Sequence, residues 1–251
     1  MSEVVTASVI IIGNEILSGR TKDVNLNHLA VTLGGWGIQV QHARVIPDLP
    51  EVIVQTVNEC RRQYDYVFTT GGIGPTHDDI TAQCVADAFA KPLYQHPEIA
   101  QRITAREAPE DVMRNRLLMA RVPEGAGLID NPSGGPQGFF IENVYVMAGI
   151  PMVMQAMLSS LEGKLKSGDI VYSHSVKAYL GESQISSQLA AIQDSYPQVD
   201  IGSYPFYRED RYGTTLVIRG TSKSVNAEVA NKVLQAVLTL GEEAHDLGEG
   251  E

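Results

Sequence analysis

The stretch Thr69-Thr70-Gly71-Gly72-Ile73-Gly74-Pro75-Thr76-His77-Asp78-Asp79-Ile80-Thr81 limits the folds open to this chain more than any other segment. It follows Asp65-Tyr66-Val67-Phe68, a run of strand-forming residues. Gly71, Gly72 and Gly74 then allow positive φ or the close approach of a ligand to the main chain. Beyond the turn, Ile80, Cys84, Val85, Ala88 and Phe89 recur at helical spacing, so strand, glycine turn and helix follow in order. The first N–H groups of such a helix lack internal partners, and a phosphate is one acceptor that satisfies them. A second reading needs no ligand: Thr76 as N-cap with Asp79 three residues later forms a capping-box-like pair worth about 1 kcal/mol.

The same order of strand, turn and helix recurs through residues 4–150, which predicts a mostly parallel sheet covered on both faces. The apolar run from Val4 to Ile12 is the first strand. Leu26, Leu29, Ala30 and Leu33 make a helical stripe closed by Gly34 and Gly35, and a second strand spans Ile38 to Ile46. Pro50 opens the next helix. Residues 97–117 read as two charged helical pieces separated at Pro109, followed by an extended stretch from Met119 to Ile129 and a hairpin from Phe139 to Ile150. Open parallel sheets bind ligands at the carboxyl ends of their strands, so the loops after these strands are expected to converge.

With 251 residues the chain has room for two domains. The boundary is placed at Lys166-Ser167-Gly168-Asp169, after a helix carrying Met154, Met157, Leu158, Leu161 and Leu165. Residues 1–168 then form the main α/β domain and 169–243 a small α+β domain, with 244–251, rich in Glu and Gly, expected to be a flexible tail.

A net charge of −11 without a basic stripe argues against nucleic acid as a partner. Apolar runs are too short to cross a bilayer, and Glu3 stands where a secretory signal wants positive charge, so a soluble cytoplasmic protein is expected. Cys60 and Cys84 are expected to be unpaired thiols on helix faces. In so acidic a chain, attraction for a small phosphorylated ligand must come from main-chain N–H groups, from a few cations such as Arg20, Lys22 and His77, or from a divalent metal.

Glu15, in the loop after the first strand, can be read as a general base, a metal ligand, a partner for a ligand N–H, or a helix-entry carboxylate. Ser133 and Gly134, with Gly135, make either an anion nest or a tight connection. Thr70, Thr76 and Thr81 offer hydroxyl donors beside the glycines, and Asp48 is at least a turn residue after Pro47.

The motifs Gly13-Asn14-Glu15-Ile16-Leu17-Ser18-Gly19, Asp23 to Asn27, Pro47-Asp48, the Gly71 to Thr81 corner, Asn131-Pro132-Ser133-Gly134 and Ala148-Gly149-Ile150-Pro151 occur in an order that resembles one family. It is the molybdopterin-binding (MoCF) fold, as found in competence/damage-inducible protein A (CinA) and in the N-terminal domain of eukaryotic FAD synthases. The resemblance covers roughly residues 5–165, and residues 169 onward resemble the small domain that follows the MoCF domain in CinA-type proteins. It implies a three-layer α/β domain whose ligand site takes in Gly13, Asn14, Thr70, Gly71, Gly72, Gly74, Pro75, Thr76, Asp78, Thr81, Ser133, Gly134, Gly149 and Pro151. Asp48 and Asp79 are implied as functional carboxylates beside the phosphates, where Mg²⁺, Mn²⁺ or Co²⁺ would relieve the repulsion. Ala148 departs from the family's usual Pro-Gly-x-Pro.

Three activities are compatible with that resemblance. The first is a metal-dependent pyrophosphatase cleaving a dinucleotide-like substrate such as ADP-ribose or FAD, with Asp48, Asp79 and Glu15 as catalytic residues. The second is a molybdopterin-binding protein or a molybdopterin adenylyltransferase of molybdenum cofactor biosynthesis, and the third a regulatory scaffold. The nicotinamide-nucleotide amidase domain of many CinA proteins and the adenylyl-transferring half of FAD synthases are not recognised in the sequence, and a homo-oligomer is expected by resemblance.

Overall fold

In the computed structural model, residues 4–208 and 210–250 are described, and they fall into two compact units, Met1–Gly168 and Asp169–Glu251. The first unit runs β1 (Val5–Ile12), α1 (Asn14–Leu17), α2 (Asn25–Gly35), β2 (Ile38–Ile46), α3 (Pro50–Gln63), β3 (Tyr66–Thr70) and α4 (Thr81–Ala88). It continues through β4 (Leu93–Gln95), α5 (Pro97–Thr104), α6 (Glu110–Arg116), a 3₁₀ turn at Leu117–Ala120, β5 (Arg121–Pro123), β6 (Gly127–Ile129), β7 (Gly138–Ile141), β8 (Val144–Met147) and α7 (Pro151–Ser159).

Six strands form one sheet in the order β2-β1-β3-β8-β7-β6. The pairs among β2, β1, β3 and β8 are parallel, while β7 and β6 return antiparallel. Strand alternation divides the side chains between two cores. Ile10, Ile12, Val67, Val144 and Val146 pack on one face with Ile53 and Val57 of α3 and Val85 of α4. Val9, Ile11, Phe68, Tyr145 and Met147 pack on the other with Leu29 and Leu33 of α2 and Met154, Met157 and Leu158 of α7. The result is the three-layer α/β architecture expected of residues 1–168.

Two local expectations change. Leu117–Ala120 is a 3₁₀ turn, so the extended stretch expected from Met119 begins only at Arg121. The helix after the glycines begins at Thr81 with Ile80 as N-cap, and no side chain caps it. Thr76 and Asp79 do pair, but within a turn: Asp79 Oδ2 accepts from the Thr76 N–H at 2.8 Å and lies 2.6 Å from the Thr76 hydroxyl, whose one hydrogen it shares with Asp78. Asp79 Oδ2 is therefore engaged within the turn before the helix starts.

The second unit holds β9 (Tyr172–Ala178), α8 (Glu182–Ser195), β10 (Asp200–Arg208), β11 (Arg211–Gly220), α9 (Lys223–Thr239) and β12 (Ala244–Gly250). Its antiparallel sheet has the order β10-β11-β9-β12, and Val176, Leu216 and Ile218 meet Ile185 of α8 and Val229 and Val233 of α9 in a separate core. Residues 244–250 of the flexible tail expected over 244–251 form β12, which pairs with β9 and bulges between Asp246 and Gly248, and Glu251 lies outside the described residues. A backbone ladder does not require strand-forming side chains when an edge is open to receive it, and Gly248 supplies the positive φ of the bulge. No helix among the described residues is long and apolar enough to cross a membrane.

Candidate functional site

The segments that leave the carboxyl ends of β1, β3 and β8 meet around a cavity of about 560 Å³, within the range of small-molecule sites. Glu15 comes from α1, Gly71 to Pro75 and Asp79 from the glycine corner, and Ala148 to Pro151 from the elbow before α7. Asn131, Gly135, Pro136 and Gln137 close another side.

Close backbone contacts set this shape. Gly71 has φ +104°, and a Cβ there would overlap the Ile12 carbonyl oxygen at the end of β1. Its N–H donates to Met147 O at the end of β8, at 3.2 Å. Thr81 holds the corner from behind, its hydroxyl donating to Gly71 O at 3.0 Å and its N–H to Gly72 O at 3.0 Å. The N–H groups of Gly72, Ile73 and Gly74 donate to no protein acceptor among the described residues. Three consecutive donors thus remain for whatever occupies the cavity.

The acidic residues are placed by equally tight contacts. A Cβ on Gly74 would lie 2.6 Å from Asp79 Oδ2, and one on Gly13 would lie 2.5 Å from Glu15 Oε1. Only glycine leaves room for these carboxylates in their positions. Asp78 is turned to solvent and accepts from the Thr76 hydroxyl at 2.5 Å, which holds its carboxyl below the usual range.

Of the residues singled out in the sequence, Glu15, Gly71, Gly72, Gly74, Pro75, Asp79, Gly149 and Pro151 therefore share one cavity wall. The others do not line it. Asp48 Oδ2 accepts the Asn14 N–H at 2.9 Å, which fixes the start of the α1 turn that carries Glu15. Thr70 is buried, with a hydroxyl that has no partner, and the hydroxyls of Thr76 and Thr81 are engaged with carboxylates and a carbonyl. Of the three hydroxyls expected from the sequence to donate to a ligand, that of Thr81 braces the corner, that of Thr76 is held by the turn, and that of Thr70 has no protein partner. The Ser133 hydroxyl donates to Asn131 Oδ1, Gly13 lies against the Glu15 carboxylate, and Gly134 lines a neighbouring cavity.

Asn131 and Gln137 are polar side chains of the wall that the sequence reading does not take as site residues. Asn131 organises the loop after β6: its Oδ1 accepts from Ser133 N at 3.1 Å, and its Nδ2 donates to Pro136 O at 2.9 Å. Gln137 is 4% exposed, its Nε2 donates to Glu98 Oε1 at 2.5 Å, and its Oε1 has no partner. A glutamine in a Gly-Pro loop carries no sequence signal of this, since its partner lies 39 residues earlier.

Among the described residues no group of three or more His, Cys, Asp or Glu is gathered as a metal cage. The carboxylates of the cavity wall suit a hard cation that takes one or two protein oxygens and completes its shell with ligand phosphates and water.

Residues 8–166 match the family model described as "Probable molybdopterin binding domain", well over half of the chain. The chain belongs to this molybdopterin-binding domain family. Residues 170–241 match a second model, "FAD synthase, middle domain". A protein of Archaeoglobus fulgidus is 33% identical over 197 residues, covering 78% of this chain and 84% of its own length. A CinA-like protein of Trichormus variabilis is 31% identical over 203 residues, covering 74% of this chain and 48% of its own length. The chain thus spans about half the length of that CinA-like relative. Among solved structures, the CinA protein of Thermoplasma acidophilum, described as of unknown function, superposes with a TM-score of 0.58 at 31% identity, covering 63% of this chain and 96% of that one. The family match covers the unit that holds the cavity.

Proposed function

We propose that the chain is a cation-assisted pyrophosphatase that binds a dinucleotide-like diphosphate and hydrolyses its phosphoanhydride bond. The observation that carries this reading is the run of unpartnered N–H groups at Gly72, Ile73 and Gly74 in the same cavity wall as two carboxylates. Preorganised main-chain donors stabilise charge that develops on phosphoryl oxygens without reorganising. Fixed by Thr76, Asp79 is the side chain that would hold Mg²⁺, Mn²⁺ or Co²⁺ against the diphosphate. When bound, such a cation neutralises phosphate charge and acidifies water. Glu15 accepts the proton of the attacking water, whose oxygen bonds to one phosphorus as the bridging P–O bond breaks. Asp48 acts through its bond to Asn14 N, holding the turn that presents Glu15.

With added Co²⁺, Mn²⁺ or Mg²⁺, the purified protein should release AMP from ADP-ribose or FAD. Asp79→Ala should lower kcat by at least about 100-fold, as expected when a group that aligns phosphoryl transfer is removed, with the melting temperature little changed. No turnover by the wild-type protein with any of the three cations overturns the hydrolase. The family description supports a second reading in that event, a molybdopterin-binding protein without hydrolysis, measurable as direct binding.

A further inference from the structure

Next to the main cavity lies a second one, of about 310 Å³, whose wall contains Arg102, Arg106 and Arg116. The two cavities share Met119, Gly135 and Pro136, so they adjoin. Three guanidiniums, against Glu107 in the wall and Asp130 paired with Arg102, leave this wall cationic in a chain whose net charge is −11.

The arginines are held in place with donors to spare. Arg102 pairs with Asp130 at 3.2 Å through Nη1, Arg106 Nη2 donates to Gly134 O at 3.1 Å, and Arg116 Nη1 donates to Arg106 O at 3.5 Å. Each guanidinium carries five N–H donors, so these single bonds orient the groups and leave most donors open. Arg102 and Arg116 are half-buried, which strengthens their attraction for an anion relative to a fully solvated charge. Gly134, with φ +83°, lets the chain turn so that its carbonyl meets Arg106, and a Cβ there would touch that guanidinium.

We infer that Arg102, Arg106 and Arg116 form a subsite for a phosphomonoester carried by the ligand away from its diphosphate. The inference rests on the diphosphate reading of the main cavity, and it deepens that reading by naming the substrate class: diphosphates that bear a further phosphate. Planar guanidiniums bind phosphate through paired N–H donors, the geometry that a converging set of arginines offers.

The test is calorimetric binding, in the presence of Mg²⁺, of two ligands that differ by one phosphate: the methylene-bridged analogues of ADP-ribose and 2′-phospho-ADP-ribose, whose P–C–P bridge the proposed hydrolysis cannot cleave. The wild-type protein should bind the phosphorylated ligand at least about tenfold more tightly, the fold-change of one charge-assisted hydrogen bond. Arg116→Gln and Arg102→Gln should each bring the ratio toward unity, and Arg116→Lys should retain part of it. A ratio of affinities for the same preparation is insensitive to a loss of folded fraction. Equal wild-type affinities overturn the subsite while leaving the diphosphate reading standing. If neither ligand binds, both readings fall.

Discussion

In the first unit the run β2-β1-β3-β8 is parallel, so the segments after β1, β2, β3 and β8 all leave from the same edge. In the second unit β10, β11, β9 and β12 pair antiparallel throughout, and neighbouring strands finish at opposite ends. Both units bury branched apolar side chains beneath helices, so the difference does not lie in how they are held together. It lies in what the topology gathers. The parallel run brings Glu15, the Gly72–Asp79 corner and Gly149 from three distant stretches of sequence into one wall, whereas an antiparallel sheet distributes its turns between two edges.

The strongest way to break this comparison is at Gly71, where the ends of β1, β3 and β8 touch through Ile12 O and Met147 O. Gly71→Ala places a methyl against backbone that cannot swing aside, at a φ that side chains rarely adopt. It should cost about 3 kcal/mol or more and abolish ligand binding, both read by denaturant unfolding and calorimetry. An unchanged unfolding midpoint would show that the strand ends can separate, and with it that convergence does not shape the cavity.

The corresponding test in the second unit is smaller. Asp246 of β12 accepts from Gly248 N at 2.8 Å and from His174 Nε2 at 2.7 Å. Burial pushes its carboxyl up, but the Gly248 N–H and the His174 contact together hold it below its ordinary value. A lowered folded-state pKa stabilises at pH above the ordinary value of 3.8, and that contribution disappears as pH falls through the folded value. The Asp246 side chain is 48% exposed, so solvent screening limits the effect of Asp246→Asn to about 0.5–1 kcal/mol at pH 7. The wild type and the variant should converge in stability as the pH drops below the ordinary carboxylate value. A constant difference down to pH 2 would assign the loss to the bulge geometry instead.

The two units also differ in how far their sequences disclose them. Strands such as Val5–Ile12 and Tyr66–Thr70 are legible because parallel strands buried on both faces draw on near-continuous runs of apolar and β-branched residues, and the three-layer α/β class follows from their alternation with helical stripes. Strand β12 is not legible: His245-Asp246-Leu247-Gly248-Glu249-Gly250 has the composition of a tail, and its order comes from the open edge of β9. Within the candidate site, the glycine that must pass close to backbone announces itself, since a side chain at Gly71 would overlap the Ile12 carbonyl at a φ that side chains rarely adopt. The use each threonine makes of its hydroxyl does not, because Thr76 can cap a helix or grip Asp79 with the same local sequence. Nor does the arginine wall, which depends on α5, α6 and the loop at Gly134 coming together.

The smallest expected effect sharpens the comparison without breaking it. Cys84 lies one turn into α4, directly behind the glycine corner, and is 1% exposed with no disulfide. Burial pushes its thiol up to about 11. At pH 8 the reactive thiolate is then depleted on the order of 100-fold relative to a free cysteine, and the reagent must also reach a packed side chain. Alkylation of Cys84 in a Cys60→Ala background should therefore proceed only when the corner opens, and peptide mass mapping would report that opening directly. A rate near that of an unstructured peptide would mean that the end of β3 and the start of α4 part readily. The three N–H groups would then lack the fixed geometry that charge stabilisation requires. A slow rate that diphosphate slows further would tie the rigidity of this corner to its occupant.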